Sequence, residues 1–200
     1  MAAIETPSRE NAVRVLGVDP AVAGATGYGI VEIRGSAHRL LRFGALKLPA
    51  RAPFDERLRE IHRLIASLVE EFSPHAVAVE SVFTALNMRT ALKLAEMRGV
   101  VLLAAAQARV PAFGYSPREV KASVAGFGAA SKQQMQKMVS ALLGLAECPE
   151  PPDAADALAV ALCHAQSCRA KERFARATSL PIQPQGGVSR SRRIPVSAQP

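Results

Sequence analysis

Val13-Arg14-Val15-Leu16-Gly17-Val18-Asp19 is an apolar run that ends on a carboxylate, and Ala76-Val77-Ala78-Val79-Glu80 repeats the pattern. Short valine-rich runs of this kind read as buried strands. A charge at the end of a buried strand is costly unless something compensates it. Two more acids sit in Pro151-Pro152-Asp153-Ala154-Ala155-Asp156-Ala157-Leu158, which reads as a helix start. Asp153 and Asp156 are three apart and share one side of that helix. In open α/β sheets, sites form beyond the carboxyl ends of strands. If the two strands are parallel neighbours, Asp19 and Glu80 converge there.

The other elements follow outward from these. Gly27–Ile33 and His38–Leu48 read as a second and a third strand, joined by short turns that favour antiparallel hairpins. Phe54, Leu58, Ile61, Leu64, Ile65, Leu68, Val69 and Phe72 recur at helical spacing, and Pro74 follows. A long helix from about Asn87 to Arg109 is apolar on much of its circumference, which suits a core helix or half of a subunit interface. Pro111 to Tyr115 reads as a short strand. Ser116-Pro117-Arg118-Glu119 and Ser131-Lys132-Gln133-Gln134 have the form of helix-starting capping boxes, the second helix reaching Leu143. Pro151-Pro152 opens a last helix to about Cys168. This order predicts an α/β layer on a mixed sheet of about five strands, because a helix must supply the parallel crossover.

The chain has 200 residues, 49% hydrophobic and 21% charged, which fits one domain with tails. We expect a mobile extension at 1–12, the domain at 13–168, and a basic, disordered tail at 169–200. The net charge of +8 points to an anionic partner, nucleic acid being the commonest. The excess is uneven: 169–200 carry +6 and 1–168 only +2. Three cysteines (Cys148, Cys163, Cys168) without a CxxC pair suggest reduced thiols in a cytoplasm. No apolar stretch approaches the roughly 20 residues that span a bilayer, and no signal peptide is visible.

Oxygen-only ligands favour Mg2+ or Mn2+ over zinc. Four carboxylates would balance two divalent ions, an arrangement suited to in-line attack at phosphorus. Taken singly, Asp153 also suits an N-cap, Asp156 the helix dipole and Asp19 the start of a turn. His164 lies about 12 Å along the helix from Asp156 and reads as structural.

Leu16-Gly17-Val18-Asp19-Pro20, Thr26-Gly27-Tyr28-Gly29, Ala78-Val79-Glu80-Ser81-Val82-Phe83 and Asp153-Ala154-Ala155-Asp156-Ala157-Leu158-Ala159 together resemble the RuvC family of Holliday-junction resolvases. The likeness continues through Ala91–Gly99 and Val120-Lys121 and spans roughly Val13 to Ser167. The resemblance implies an RNase H-like fold, a homodimer, Mg2+-dependent paired cuts in a four-way DNA junction, and RuvA and RuvB as partners. It puts the catalytic, metal-binding carboxylates on Asp19, Glu80, Asp153 and Asp156. Asp19 and Asp156 would touch the metals most directly. It puts a junction-facing aromatic on Phe83 and DNA-facing lysines on Lys121 and Lys132. Arg89, Arg118 and Lys137 are further candidates for DNA contact.

The chain departs from that pattern in three places. Ala21 stands where a glycine is usual, and the Asp19–Thr26 turn is one residue longer, with Gly24 available to supply flexibility. The third departure is the long basic tail, which would add non-specific DNA attraction. Competing readings are a branched-DNA binder that does not cut, an RNA-directed relative, and an actin-like or sugar-kinase-like ATPase. Against the ATPase stand Ala21 and the lack of a second glycine-rich phosphate loop.

Overall fold

The structure is a computed structural model that describes residues 12–22, 24–81 and 87–179, side chains of 172–179 excepted. Its elements are β1 (Val13–Asp19), β2 (Ala25–Arg34), β3 (Ala37–Lys47), α1 (Phe54–Phe72), β4 (Ala76–Glu80), α2 (Met88–Gln107), β5 (Ala112–Tyr115), α3 (Pro117–Ala125), α4 (Lys132–Leu143) and α5 (Pro152–Ser179). The strands form one sheet in the order β3-β2-β1-β4-β5. β1 is antiparallel to β2 and parallel to β4, and β4 is parallel to β5. The expected mixed sheet of five strands is therefore present, with the two acid-ending strands side by side.

Side chains alternate between the two faces of a strand. On one face Leu16, Val18, Ile30, Val77 and Val79 pack with Ile61, Ile65 and Leu68 of α1 and with Met97 and Val101 of α2. On the other, Val15, Val31 and Ala78 pack with Leu158, Ala161 and Leu162 of α5 and with α3 and α4. The period that puts Val15 and Ala78 on the α5 face puts Asp19 and Glu80 there too.

α5 lies unusually close to the sheet. Its sheet-facing residues Ala154, Ala157 and Ala161 are small and fully buried, and it crosses Gly17, Gly27 and Gly29. A Cβ on Gly17 would overlap the Ala157 carbonyl and come within 2.8 Å of the Ala161 nitrogen. A Cβ on Gly27 would overlap the Asp153 carbonyl, and one on Gly29 would meet the Leu158 side chain. The Thr26-Gly27-Tyr28-Gly29 segment thus serves as a seat for the helix. Gly24 has φ +106°, a left-handed conformation other residues rarely adopt, so a glycine is needed at that position of the lengthened turn.

α5 continues to Ser179, beyond the end at Cys168 expected from the sequence. Residues 169–177 are Ala, Arg, Lys, Glu and Phe, mostly good helix formers, and no proline interrupts them before Pro181. The expected tail thus begins inside a helix. The rest of it, and most of the expected N-terminal extension, lie outside the described residues.

Glu32 was not singled out by sequence. Its side chain is 1% exposed and lies within 3.1–3.2 Å of Arg14, Arg34 and Arg39. Burial would push its carboxyl up, but the Arg14 hydrogen bond and the Arg34 and Arg39 charges outweigh it and hold the pKa below the ordinary 4.5. Its contribution to stability is therefore complete above the unfolded value and is lost as pH falls through the folded one. Glu32→Gln is expected to cost about 1–2 kcal/mol near neutrality, because the three arginines stay partly hydrated. The gap to wild type should close in melts taken from about pH 7 to about pH 3; a gap independent of pH would remove the ionic explanation.

Candidate active site

Asp19 and Glu80 occupy the carboxyl ends of adjacent parallel strands, one step beyond the paired Val18 and Val79. α5 begins over Gly27 and brings Asp153 and Asp156 to the same end of the sheet. Asp19, Glu80 and Asp156 line one cleft of about 260 Å³, with Lys121 of α3 and Lys132 of α4 on its wall and Met135 and Val120 beneath. Asp153 does not line this cleft, but its charge acts on Asp19. Local sequence sets both lysine-bearing helices. Ser116 and Glu119 form a reciprocal capping box at the start of α3, and Ser131 and Gln134 do so at α4, as the sequence predicts.

The electrostatics are strained. Burial, then the Glu80 charge and a hydrogen bond shared with Glu80, then Asp156 and Asp153, push Asp19 well above the usual carboxylate range. Burial also raises Glu80; the bond with Asp19 lowers it, Asp156 raises it, and the Lys121 charge lowers it again. Lys132 Nζ donates to Asp156 Oδ2 at 2.9 Å, a contact that sequence did not anticipate. That bond raises the Lys132 pKa despite partial burial.

A carboxylate whose folded pKa is raised destabilises the fold when ionised. The penalty is complete above the raised pKa and absent below the unfolded value near 3.8. Asp19→Asn is therefore expected to melt several degrees higher than wild type in EDTA at neutral pH. The difference should shrink as the solution is acidified. A lower melting point for the variant would mean that Asp19 is stabilised by its surroundings instead.

A divalent cation would relieve the same strain. The donors are all oxygens, at the mouth of a cleft, which suits Mg2+ or Mn2+. Among the described residues, however, no three His, Cys, Asp or Glu side chains are already gathered as a metal cage. Metal binding would draw the carboxylates closer together, and Lys132 would compete with the ion for Asp156.

The other expected DNA-facing residues are more scattered. Arg118 is exposed on α3 and packs beside Gly128, Arg89 is exposed in the first turn of α2, and Lys137 is exposed on α4; none lines the cleft. Phe83 lies outside the described residues. Met135 was missed, although it stands one turn after Lys132 on the same face of α4. His164 is 4% exposed, 2.8 Å from the Tyr115 hydroxyl and 3.4 Å from the Cys168 sulfur, with Phe113 tilted over its ring. It is a packed core histidine, remote from the lining of the cleft.

A mixed sheet in this strand order, flanked by helices and carrying acids at its central carboxyl ends, defines an RNase H-like domain. Comparison with known proteins narrows this. The family model described as "Crossover junction endodeoxyribonuclease RuvC" matches residues 15–164. A protein of that name from Chloroflexus aggregans is 47% identical over 162 residues, which cover 81% of this chain and 98% of the relative. The solved structure "Thermus thermophilus RuvC structure" is 38% identical with a TM-score of 0.73, covering 80% of this chain and 97% of the other. "T. thermophilus RuvC in complex with Holliday junction substrate" is 39% identical with a TM-score of 0.75, covering 80% and 96%. The chain belongs to the RuvC family.

Proposed function

We propose that this protein resolves four-way DNA junctions by paired, symmetric, Mg2+-dependent cuts, with Asp19, Glu80, Asp153 and Asp156 as metal ligands. The observation that carries the reading is the cleft in which Asp19, Glu80 and Asp156 face Lys121 and Lys132. Mutually repelling carboxylates would hold two Mg2+ ions, with Mn2+ as a substitute, and the lysines beside them suit the phosphate backbone. Metal bound there would supply an activated water and charge for the leaving 3′-oxygen. Asp19 and Asp156 would hold it most directly, and Glu80 and Asp153 would complete the set. Lys121 and Lys132 orient the strand. Phe83, Arg118 and Arg89 extend the DNA contact. The basic tail after Arg169 adds sequence-independent attraction.

Cutting two strands symmetrically calls for two copies of the site. The solvent side of α2 supports a homodimer: Met88, Leu92 and Leu103 are 74%, 56% and 52% exposed, and a Cβ on Gly99 would touch nothing. Apolar residues left open on one helix suit a two-fold interface. RuvA and RuvB are the partners that family membership suggests, and the cytoplasm the compartment. No helix among the described residues is long and apolar enough to cross a membrane. The ATPase-like reading is not favoured: the family model over residues 15–164 is that of a junction endonuclease, and Ala21 stands where that reading needs a glycine.

The test uses a synthetic four-way junction and the matching linear duplex, each with Mg2+ and with EDTA. Symmetric nicks in the junction alone, and with Mg2+ alone, are expected. Tight junction binding with no cut in any condition would make the protein a structure-specific binder.

A further inference from the structure

Lys132 has a partner in this structure besides the DNA proposed for it. It is the first residue of α4, and the Ser131–Gln134 capping box fixes the start of that helix. From there its ammonium holds Asp156 Oδ2 at 2.9 Å, an oxygen the proposed function gives to a metal ion. The side chains are 58% and 35% exposed, so both an incoming ion and an incoming phosphate can reach the pair. Asp19 and Glu80 line the same cleft, so the lysine is also positioned to offset part of their charge.

We propose that Lys132 is a resident counter-ion of the metal site: it holds Asp156 before metal binds, and must release it for metal to enter. A DNA phosphate beside the α4 N-terminus competes for the same ammonium. A phosphate that draws Lys132 away frees Asp156 for the ion, so DNA and metal each ease the binding of the other. By linkage the factor is equal in both directions. The consequence is a site that loads metal poorly until DNA is in place. The inference rests on the reading of Asp156 as a ligand.

The test is a Mn2+ titration of the full chain without DNA, with free Mn2+ read by electron paramagnetic resonance. Lys132→Gln is expected to bind Mn2+ about 2–5-fold more tightly, the strength typical of a half-exposed ion pair. Lys132→Arg should bind as wild type does. Asp156→Asn should weaken binding, and in that background Lys132→Gln should make a much smaller difference, the remainder being its charge on Asp19. Melts in EDTA verify that each variant is folded. Linear duplex added to the titration should tighten Mn2+ binding by wild type more than by Lys132→Gln. Unchanged or weaker binding by Lys132→Gln, with Asp156→Asn still weakening it, would overturn the counter-ion and leave the ligand assignment standing. Unchanged binding by Asp156→Asn would overturn both.

Discussion

Asp156→Asn is expected to reduce junction cleavage on the order of 10³-fold, because a metal ion contributes several kcal/mol of transition-state stabilisation and each 1.36 kcal/mol is tenfold in rate. The substitution keeps size and shape and removes only charge. Asp156 is partly exposed one turn into α5, with Lys132 as its ionic partner, so its loss leaves no deeply buried group unpaired. The fold should survive, and junction binding measured in EDTA should stay near wild type. Single-turnover cleavage and a gel-shift titration separate the two effects. Cleavage at the normal rate would remove Asp156 from the catalytic set. Lost junction binding would make it a DNA-contacting residue instead.

The second large effect concerns the seat of α5. Gly17→Val is expected to destabilise the fold by about 3 kcal/mol or more, above the usual cost of overpacking, since the obstacle is backbone and cannot rotate aside. Gly17 lies on central β1, and its missing side chain lets Ala157 and Ala161 sit directly on the strand. A side chain there must lift α5, and with it Asp153 and Asp156. Chemical denaturation measures the stability loss. Residual folded protein should cleave poorly even under native conditions. A variant of wild-type stability would mean that the helix can sit higher than the structure has it.

Much of this architecture is legible in local sequence. The apolar runs ending in Asp19 and Glu80 read as strands and the crossover rule suggested a parallel return; that the two are neighbours came from the sheet order. Both capping boxes were readable because a cap is a signal confined to four residues. Contacts between distant segments were not readable. Lys132 and Asp156 lie 24 residues apart and meet only because α4 and α5 share one face of the sheet. The Gly17, Gly27 and Gly29 seat needs the path of α5 to be known before the glycines acquire a reason. The Glu32 cluster joins β1, β2 and β3 through cross-strand register, with Glu32 opposite both Arg14 and Arg39. The end of α5 was misjudged because composition suggested a tail while helix propensity persisted to Ser179.

The Asp19–Glu80–Asp156 cleft is proposed as a metal-dependent phosphodiesterase site. Its most direct test is a crystal of the protein equilibrated with Mn2+ and examined by anomalous scattering. Anomalous density is expected between Asp19, Glu80 and Asp156, with Lys132 turned away from Asp156. Density at other acids, such as Glu147 and Glu150, with the Lys132–Asp156 bond intact at saturating Mn2+, would contradict it.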